Sequence, residues 1–148
     1  MIAVAAAAMA EAETAFPLLV RFYAEEGFNT PAGDLRRNLE AFLFDDNCWV
    51  ALAWRDGQAV GLATVSTARS TEDGLLAEIQ DLYVLPEARG AGVARGLVAA
   101  ALDWSAGRGC RGVEVVITPE GEASHRLSGF YAKLGFESTG RMIHTRGL

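Results

Sequence analysis

The stretch Leu82-Tyr83-Val84-Leu85-Pro86-Glu87-Ala88-Arg89-Gly90-Ala91-Gly92-Val93-Ala94 constrains this chain most. It reads as the end of a strand, a glycine-rich turn and the first turn of a helix. Ile79, Leu82 and Val84 supply apolar, strand-favouring residues. Pro86 has no N–H to give to a sheet ladder. Gly90 and Gly92 allow positive φ and a close backbone approach to a ligand. From Gly92 onward, Val93, Leu97, Val98, Ala101 and Leu102 recur at helix spacing. The first amides of such a helix lack an internal acceptor and point back at the turn. With the helix dipole behind them, they form a cradle for phosphate oxygens.

Three phosphate-binding patterns compete for this turn. A Walker loop needs Gly-Lys-Ser/Thr, which does not follow. A dinucleotide fingerprint needs a third glycine where Arg95 stands, and its acidic ribose contact would be Glu114, inside the next apolar run. The third pattern, Arg/Gln-x-x-Gly-x-Gly/Ala, is matched position for position by Arg89-Gly90-Ala91-Gly92-Val93-Ala94. A plain glycine-rich strand-to-helix turn is the competing structural reading, because six-residue motifs recur by chance.

The 148 residues, 51% of them hydrophobic, suit one compact domain over 1–148 with its own core. A formal net charge of −6 disfavours nucleic-acid binding, which runs on Lys and Arg, and is compatible with a small cationic acceptor. Cys48 and Cys110 have no ligand-like neighbours. They suggest a reducing, cytoplasmic compartment without a disulfide framework. His125 and His144 are isolated, and no cluster has metal-ligand spacing, so no metal is expected. The alanine-rich start lacks a basic segment and merges into a helix pattern, unlike a signal peptide. No run is long enough to span a membrane, so no membrane partner is expected.

In chain order, Ile2–Ala6 reads as an edge strand and residues 9–26 as a helix, with Phe16, Leu19, Val20 and Tyr23 on one stripe and a kink or restart at Pro17. After the Gly27–Pro31 loop, a second helix runs to about Phe44, with Leu35, Leu39, Phe42 and Leu43 facing the core. Cys48–Trp54 and Ala59–Thr67 form a hairpin about Asp56-Gly57. Ala68–Gly74 reads as a loop and Leu75–Val84 as the fourth strand. After the cradle helix, Val113–Thr118 reads as a buried strand, Glu122–Leu134 as a helix and Phe136–Thr145 as a last strand. The expected class is α/β (α+β), a mixed, mostly antiparallel central sheet flanked by helices, in the order β-α-α-β-β-β-α-β-α-β.

Phe130-Tyr131-Ala132-Lys133-Leu134-Gly135-Phe136 is similar to a Tyr-x-x-x-Gly-Phe element. Together with the Arg89–Ala94 turn and the element order, it makes the chain resemble the GNAT N-acetyltransferases over about Glu78 to Phe136. The resemblance implies acetyl-CoA as co-substrate. Its pantetheine arm would pair with the edge of the fourth strand at Leu82, Tyr83 and Val84. Its pyrophosphate would lie on the amides of Gly90, Ala91, Gly92, Val93 and Ala94. Arg89 and Arg95 would add charge, although Arg95 reads equally as a solvated helix face. Ser124 stands where many members carry an asparagine that contacts the cofactor. Many members are dimers, so a homodimer is compatible with the resemblance.

Amide formation from a thioester also needs a neutral amine and a protonated leaving thiol. Tyr131 matches the family's general acid, and a phenol with an ordinary pKa of about 10 carries the proton it must give. The competing reading is a tyrosine packed under the cofactor. Glu78 matches the position at which several members carry a general base. Gln80 shares its face by the period of two and Asp81, the reserve base, points the other way. Glu78 reads equally as a solvated carboxylate at the strand entry.

The acceptor half is less specific. Phe28, Asn29 and Thr30, Glu72 and Asp73, and Glu120 and Glu122 are the candidate lining residues, and their carboxylates suit an amine carrying several ammonium groups. Tyr83-Val84-Leu85-Pro86, Gly109-Cys110-Arg111, Thr118-Pro119-Glu120 and Leu134-Gly135-Phe136-Glu137 are similar to segments of aminoglycoside 6'-N-acetyltransferases. Two further readings stay open: acetylation of another small amine or a protein amine, and a non-catalytic acyl-CoA sensor.

Overall fold

A computed structural model describes all 148 residues, Met1–Leu148. They fall into two compact units, Met1–Val116 and Ile117–Leu148.

The first unit is built on a five-stranded sheet in the order β1-β2-β3-β4-β5. Its strands are β1 (Ile2–Ala6), β2 (Cys48–Arg55), β3 (Gln58–Ser70), β4 (Gly74–Val84) and β5 (Gly112–Val115). The first four run antiparallel in sequence, and β5 joins β4 in parallel. The β2–β3 connection is the expected two-residue turn. Asp56 and Gly57 take φ of 52° and 77°, the paired positive values of a type I′ hairpin.

Alternation along the strands sends side chains to two faces. Val50, Leu52, Leu62 and Tyr83 face helices α1 (Ala12–Glu26) and α2 (Ala32–Phe44), where Ala15, Leu18, Leu19, Leu35 and Leu39 complete a buried cluster. Helix α1 continues through Pro17 to Glu26. Ala51, Ala53 and Ala63 face helix α3 (Val93–Gly107), where Val93 and Leu97 close a second cluster. The small residues on that face bring α3 close to the sheet. A Cβ on Gly61 would stand 3.0 Å from the Tyr83 carbonyl oxygen and 3.1 Å from both Leu97 and Val93 side-chain atoms. Trp49 of β2 and Trp104 of α3 stack with ring centroids 5.8 Å apart.

In the second unit, the single helix expected over Glu122–Leu134 is two: α4 (Pro119–His125) and α5 (Leu127–Ala132). Arg126 separates them in the left-handed region, with φ of 50°. Thr118 caps α4 by accepting from the Gly121 amide at 3.0 Å. Glu122 bridges the break, accepting from the Ser128 amide at 2.8 Å and its hydroxyl at 2.6 Å.

Three other expectations shift. The loop expected over Ala68–Gly74 shrinks to a turn at 71–73, because β3 and β4 pair as far as Ser70 and Gly74. Strand β5 ends at Val115, with Val116 half exposed. Phe136–Thr145 forms no strand. Residues from Glu137 to Leu148 are exposed and Gly140 takes φ of 76°, so the segment offers neither a buried face nor an unbroken extended backbone to specify a register. The mixed, mostly antiparallel sheet flanked by helices stands as expected.

Candidate active site

The parallel β4–β5 pairing covers only Leu76–Ile79 against Gly112–Val115. Beyond Ile79, β4 continues for five residues, Gln80–Val84, with β3 on one side and no strand on the other. A strand edge of this kind presents unpaired backbone groups to an extended ligand.

A 3-10 turn at Pro86–Ala88 follows, and the chain enters α3 through Gly90 and Gly92. Gly92, with φ of 81°, is the N-cap. No side chain caps the helix, and its first turn contains no acidic residue. The Gly96 amide is bonded to the Gly92 carbonyl at 3.0 Å, so the amides preceding it have no acceptor one turn back. These first amides, together with the dipole of a 15-residue helix, present positive potential uncompensated by a first-turn carboxylate. Gly90, Ala91 and Gly92 form the turn, and Val93 and Ala94 open the helix. Arg95 is exposed on the first turn. The Arg89 side chain runs back along β4, its Nε donating to the Val84 carbonyl at 3.0 Å and its Nη2 to Glu25 at 3.0 Å.

On the α1/α2 face, a cavity of about 300 Å³ opens beside the same part of β4. Leu35, Leu39 and Phe42 of α2 give it apolar walls, and Tyr23, Thr64 and Asp81 give it polar ones. Asp81 accepts from the Tyr23 hydroxyl at 3.1 Å and from the Thr64 hydroxyl at 2.5 Å. Burial pushes the Asp81 carboxyl up from its ordinary value of 3.8, while these two hydrogen bonds pull it down. The same burial, with the carboxylate alongside, raises the Tyr23 phenol, so it remains a donor.

The face of Asp81 corrects the alternation expected for β4. Thr64 is opposite Asp81 and Val65 is opposite Ile79, so Gln80 is an extra, bulged residue. The bulge turns the later residues by one step. Glu78, opposite Ser66, and Asp81, opposite Thr64, consequently share the α1/α2 face. Gln80 Nε2 donates to both Ser66 Oγ and Glu78 Oε2 at 2.9 Å, and Gln80 also lines the cavity. The Glu78 carboxyl is raised above its ordinary 4.5 by burial and by Glu114, its partner in the parallel register, and is lowered by Gln80.

Among the candidate acceptor residues, Thr30 lines the cavity. Phe28 packs edge-on against Tyr23 at 5.1 Å but is itself exposed and outside the cavity lining, and Asn29 is exposed in the same loop. Glu72 and Asp73 lie in the turn at the opposite end of β4 from Asp81, where Asp73 stands 3.8 Å from Arg111. Neither is among the cavity residues. Tyr23, Thr64 and Asn38 also line the cavity, and the sequence assigns none of them to the site. Tyr23 lies within the apolar stripe of α1, and Thr64 sits inside the apolar run Val60–Val65. A polar residue within such a run, on a strand next to one carrying an acid, was the available signal.

In the second unit, Tyr131 is buried, with edge-on contacts to Phe130 at 5.0 Å and Phe136 at 5.3 Å. Its hydroxyl makes no hydrogen bond to protein, and burial pushes its pKa up to about 12. Glu120 and Ser124 are exposed on α4, and the Glu122 carboxylate is taken up by Ser128.

The profile of the Acetyltransferase (GNAT) family matches residues 8–136. An aminoglycoside N(6')-acetyltransferase type 1 from Salmonella typhimurium is 32% identical over 111 residues, covering 72% of this chain and 74% of the relative. An uncharacterized N-acetyltransferase from Archaeoglobus fulgidus is 32% identical over 101 residues, 67% of each chain. Among solved structures, aminoglycoside N-acetyltransferase AAC(6')-Iy in complex with CoA superposes with a TM-score of 0.84 at 25% identity, covering 99% of this chain and 95% of that one.

Proposed function

The chain belongs to the GNAT acetyltransferase family, and from that premise we propose that it transfers the acetyl group of acetyl-CoA to the 6'-amine of an aminoglycoside. The observation that carries the reading is that β4 has no strand neighbour beyond Ile79 on one side and is followed, after the Pro86–Ala88 turn, by the uncapped start of α3. An extended amide-bearing arm fits the first, and a pyrophosphate fits the second. The reading treats residues 1–148 as one catalytic domain, as the family match across the unit boundary supports.

In this reading Asp81 receives the acceptor's ammonium group in the cavity, and the hydroxyls of Tyr23 and Thr64 hold its carboxylate in place. Glu78 takes a proton from the amine, directly or through water. Its raised pKa brings it closer to the range in which a carboxylate works as a base. The neutral nitrogen attacks the thioester carbonyl carbon. The C–N bond forms, the C–S bond breaks, the nitrogen sheds its second proton to water, and the sulfur leaves with a proton from Tyr131. A phenol with a pKa of about 12 holds that proton at neutral pH. Solvent then returns a proton to Tyr131 and removes one from Glu78. Ser124 and Arg95, both exposed, are left as contacts of the CoA moiety, and Glu120 as a contact of the acceptor. A cytoplasmic setting fits the free thiols of Cys48 and Cys110.

The aminoglycoside acceptor is supported by the names of the curated relatives. The apolar walls from Leu35, Leu39 and Phe42 favour a second reading, a compact amine with one ammonium group and a less polar body. Thiol release from acetyl-CoA with aminoglycosides that carry or lack a 6'-amine, and with simple alkyl and aryl amines, tests both. Turnover restricted to aminoglycosides with a 6'-amine is expected. Turnover on the simple amines alone transfers the assignment to the second reading.

A further inference from the structure

Resting on the reading of the α3 N-terminus as the CoA phosphate site, we propose that Arg89 is a positioning residue, a strut held by Glu25, and not a ligand of the phosphates. Two of its three guanidinium nitrogens are already bonded within the protein. Nε is committed to the Val84 carbonyl and Nη2 to Glu25 Oε2, each at 3.0 Å. The other Glu25 oxygen accepts from the Tyr83 hydroxyl at 2.9 Å and lies 3.7 Å from Arg21 Nε. Arg21 in turn reaches Glu87 at 3.4 Å, in the 3-10 turn just before Arg89. One turn of α1 therefore grips the approach to the cradle at two points, Glu87 and Arg89. Burial and the neighbouring Glu25 push the Tyr83 phenol up to about 12, so it remains a donor to that carboxylate.

The strut has a consequence for both halves of the site. Glu25 lies two residues beyond Tyr23, whose hydroxyl is at the cavity wall. The end of α1 thus sets the position of the phosphate turn and of the Asp81 partner together. A lysine at position 89 could still offer charge to a phosphate, but it lacks the planar fork that spans the Val84 carbonyl and Glu25.

Calorimetric titration of CoA into the unmodified protein, Glu25→Gln, Arg89→Met, Arg89→Lys and the Glu25→Gln/Arg89→Met double variant tests this, with thermal melting to confirm that each is folded. The expected result is a loss of about tenfold in affinity for each single variant, lysine included, and no further loss in the double variant. Normal or tighter CoA binding by Glu25→Gln beside a loss in Arg89→Met would make Arg89 a phosphate ligand and overturn the strut. Retained affinity in Arg89→Lys would do the same, as would normal binding by every variant. Should the unmodified protein itself bind no CoA, the reading of the cradle fails and the strut with it. If Arg89→Met does not fold, the comparison of Glu25→Gln with Arg89→Lys decides the question alone.

Discussion

The Tyr23 hydroxyl donates to Asp81 at 3.1 Å, joining α1 to β4 at the wall of the cavity. The bond spans 58 residues of sequence and places a half-buried carboxylate on the stretch of β4 that has no strand beyond Ile79 on one side.

Asp81 is therefore expected to control recognition of the amine. Asp81→Asn keeps the shape and removes the charge. A hydrogen bond to a charged group is worth about 1.5–3 kcal/mol, so kcat/KM for the amine should fall by about 10- to 100-fold while the Kd for CoA stays unchanged. Tyr23→Phe should show a smaller loss of the same kind, since Thr64 still holds the carboxylate. Equal kcat/KM values for Asp81→Asn and the unmodified protein would remove the carboxylate from the acceptor site.

The same residue makes a prediction about stability. Its folded pKa lies above the ordinary 3.8, so ionisation costs more in the folded chain than in the unfolded one. Below pH 3.8 both states are protonated and the cost is absent. It grows as pH rises from 3.8 toward the folded value and persists in full at neutral pH. Asp81→Asn should accordingly raise Tm at pH 7 and lose that advantage as the solution is acidified. A Tm difference that does not change with pH would contradict this.

Glu78 must be ionised to accept a proton. With its pKa held above 4.5, kcat/KM should decline toward acid pH with a midpoint above that of an ordinary glutamate. Glu78→Gln should lower the plateau by about 100-fold and abolish that limb. Gln80→Leu, which removes the hydrogen bond that lowers the Glu78 pKa, should shift the limb upward in pH. A profile identical before and after Glu78→Gln would leave the base elsewhere.

Tyr131→Phe should reduce kcat by more than about tenfold with little change in CoA affinity. The ring contacts with Phe130 and Phe136 are preserved, so Tm should hold. Because the phenol is pushed up to about 12, it adds no alkaline decline to kcat at pH 8–10 as a simple protonated acid would at its ordinary pKa of about 10. An undiminished kcat would exclude it from the chemistry.

Gly92→Ala probes the cradle. A Cβ there meets nothing within 4 Å, so its cost is conformational, at φ of 81°. A loss of about 1–2 kcal/mol of stability is expected from chemical denaturation, together with weaker CoA binding as the amides tilt out of line. Full stability and unchanged affinity would show that the turn tolerates another geometry.

What the sequence by itself determined is mostly local. Arg89–Ala94 is readable because a glycine-rich helix start depends on consecutive backbone angles, and the Asp56-Gly57 hairpin for the same reason. Helices α1, α2 and α3 and the three long strands, β2, β3 and β4, follow from their apolar periodicity, within a few residues. Tyr131 is marked by the Tyr-x-x-x-Gly-Phe pattern and lies buried as a packed residue would. The tertiary structure alone decided which side chains face each other. Gln80 becomes a bulge only because β3 pairs one residue short, and that single step brings Asp81 to the face of Glu78. The left-handed Arg126 divides a segment whose periodicity reads as one helix. Phe136–Thr145 has a partial strand pattern but no pairing partner to complete it. Tyr23, Thr64 and Glu25 acquire their roles from contacts 17 to 64 residues away in sequence. Backbone preferences act between neighbours and leave a mark in the sequence. Strand register and side-chain pairing are set by the packing of distant segments, where one inserted residue reverses a face.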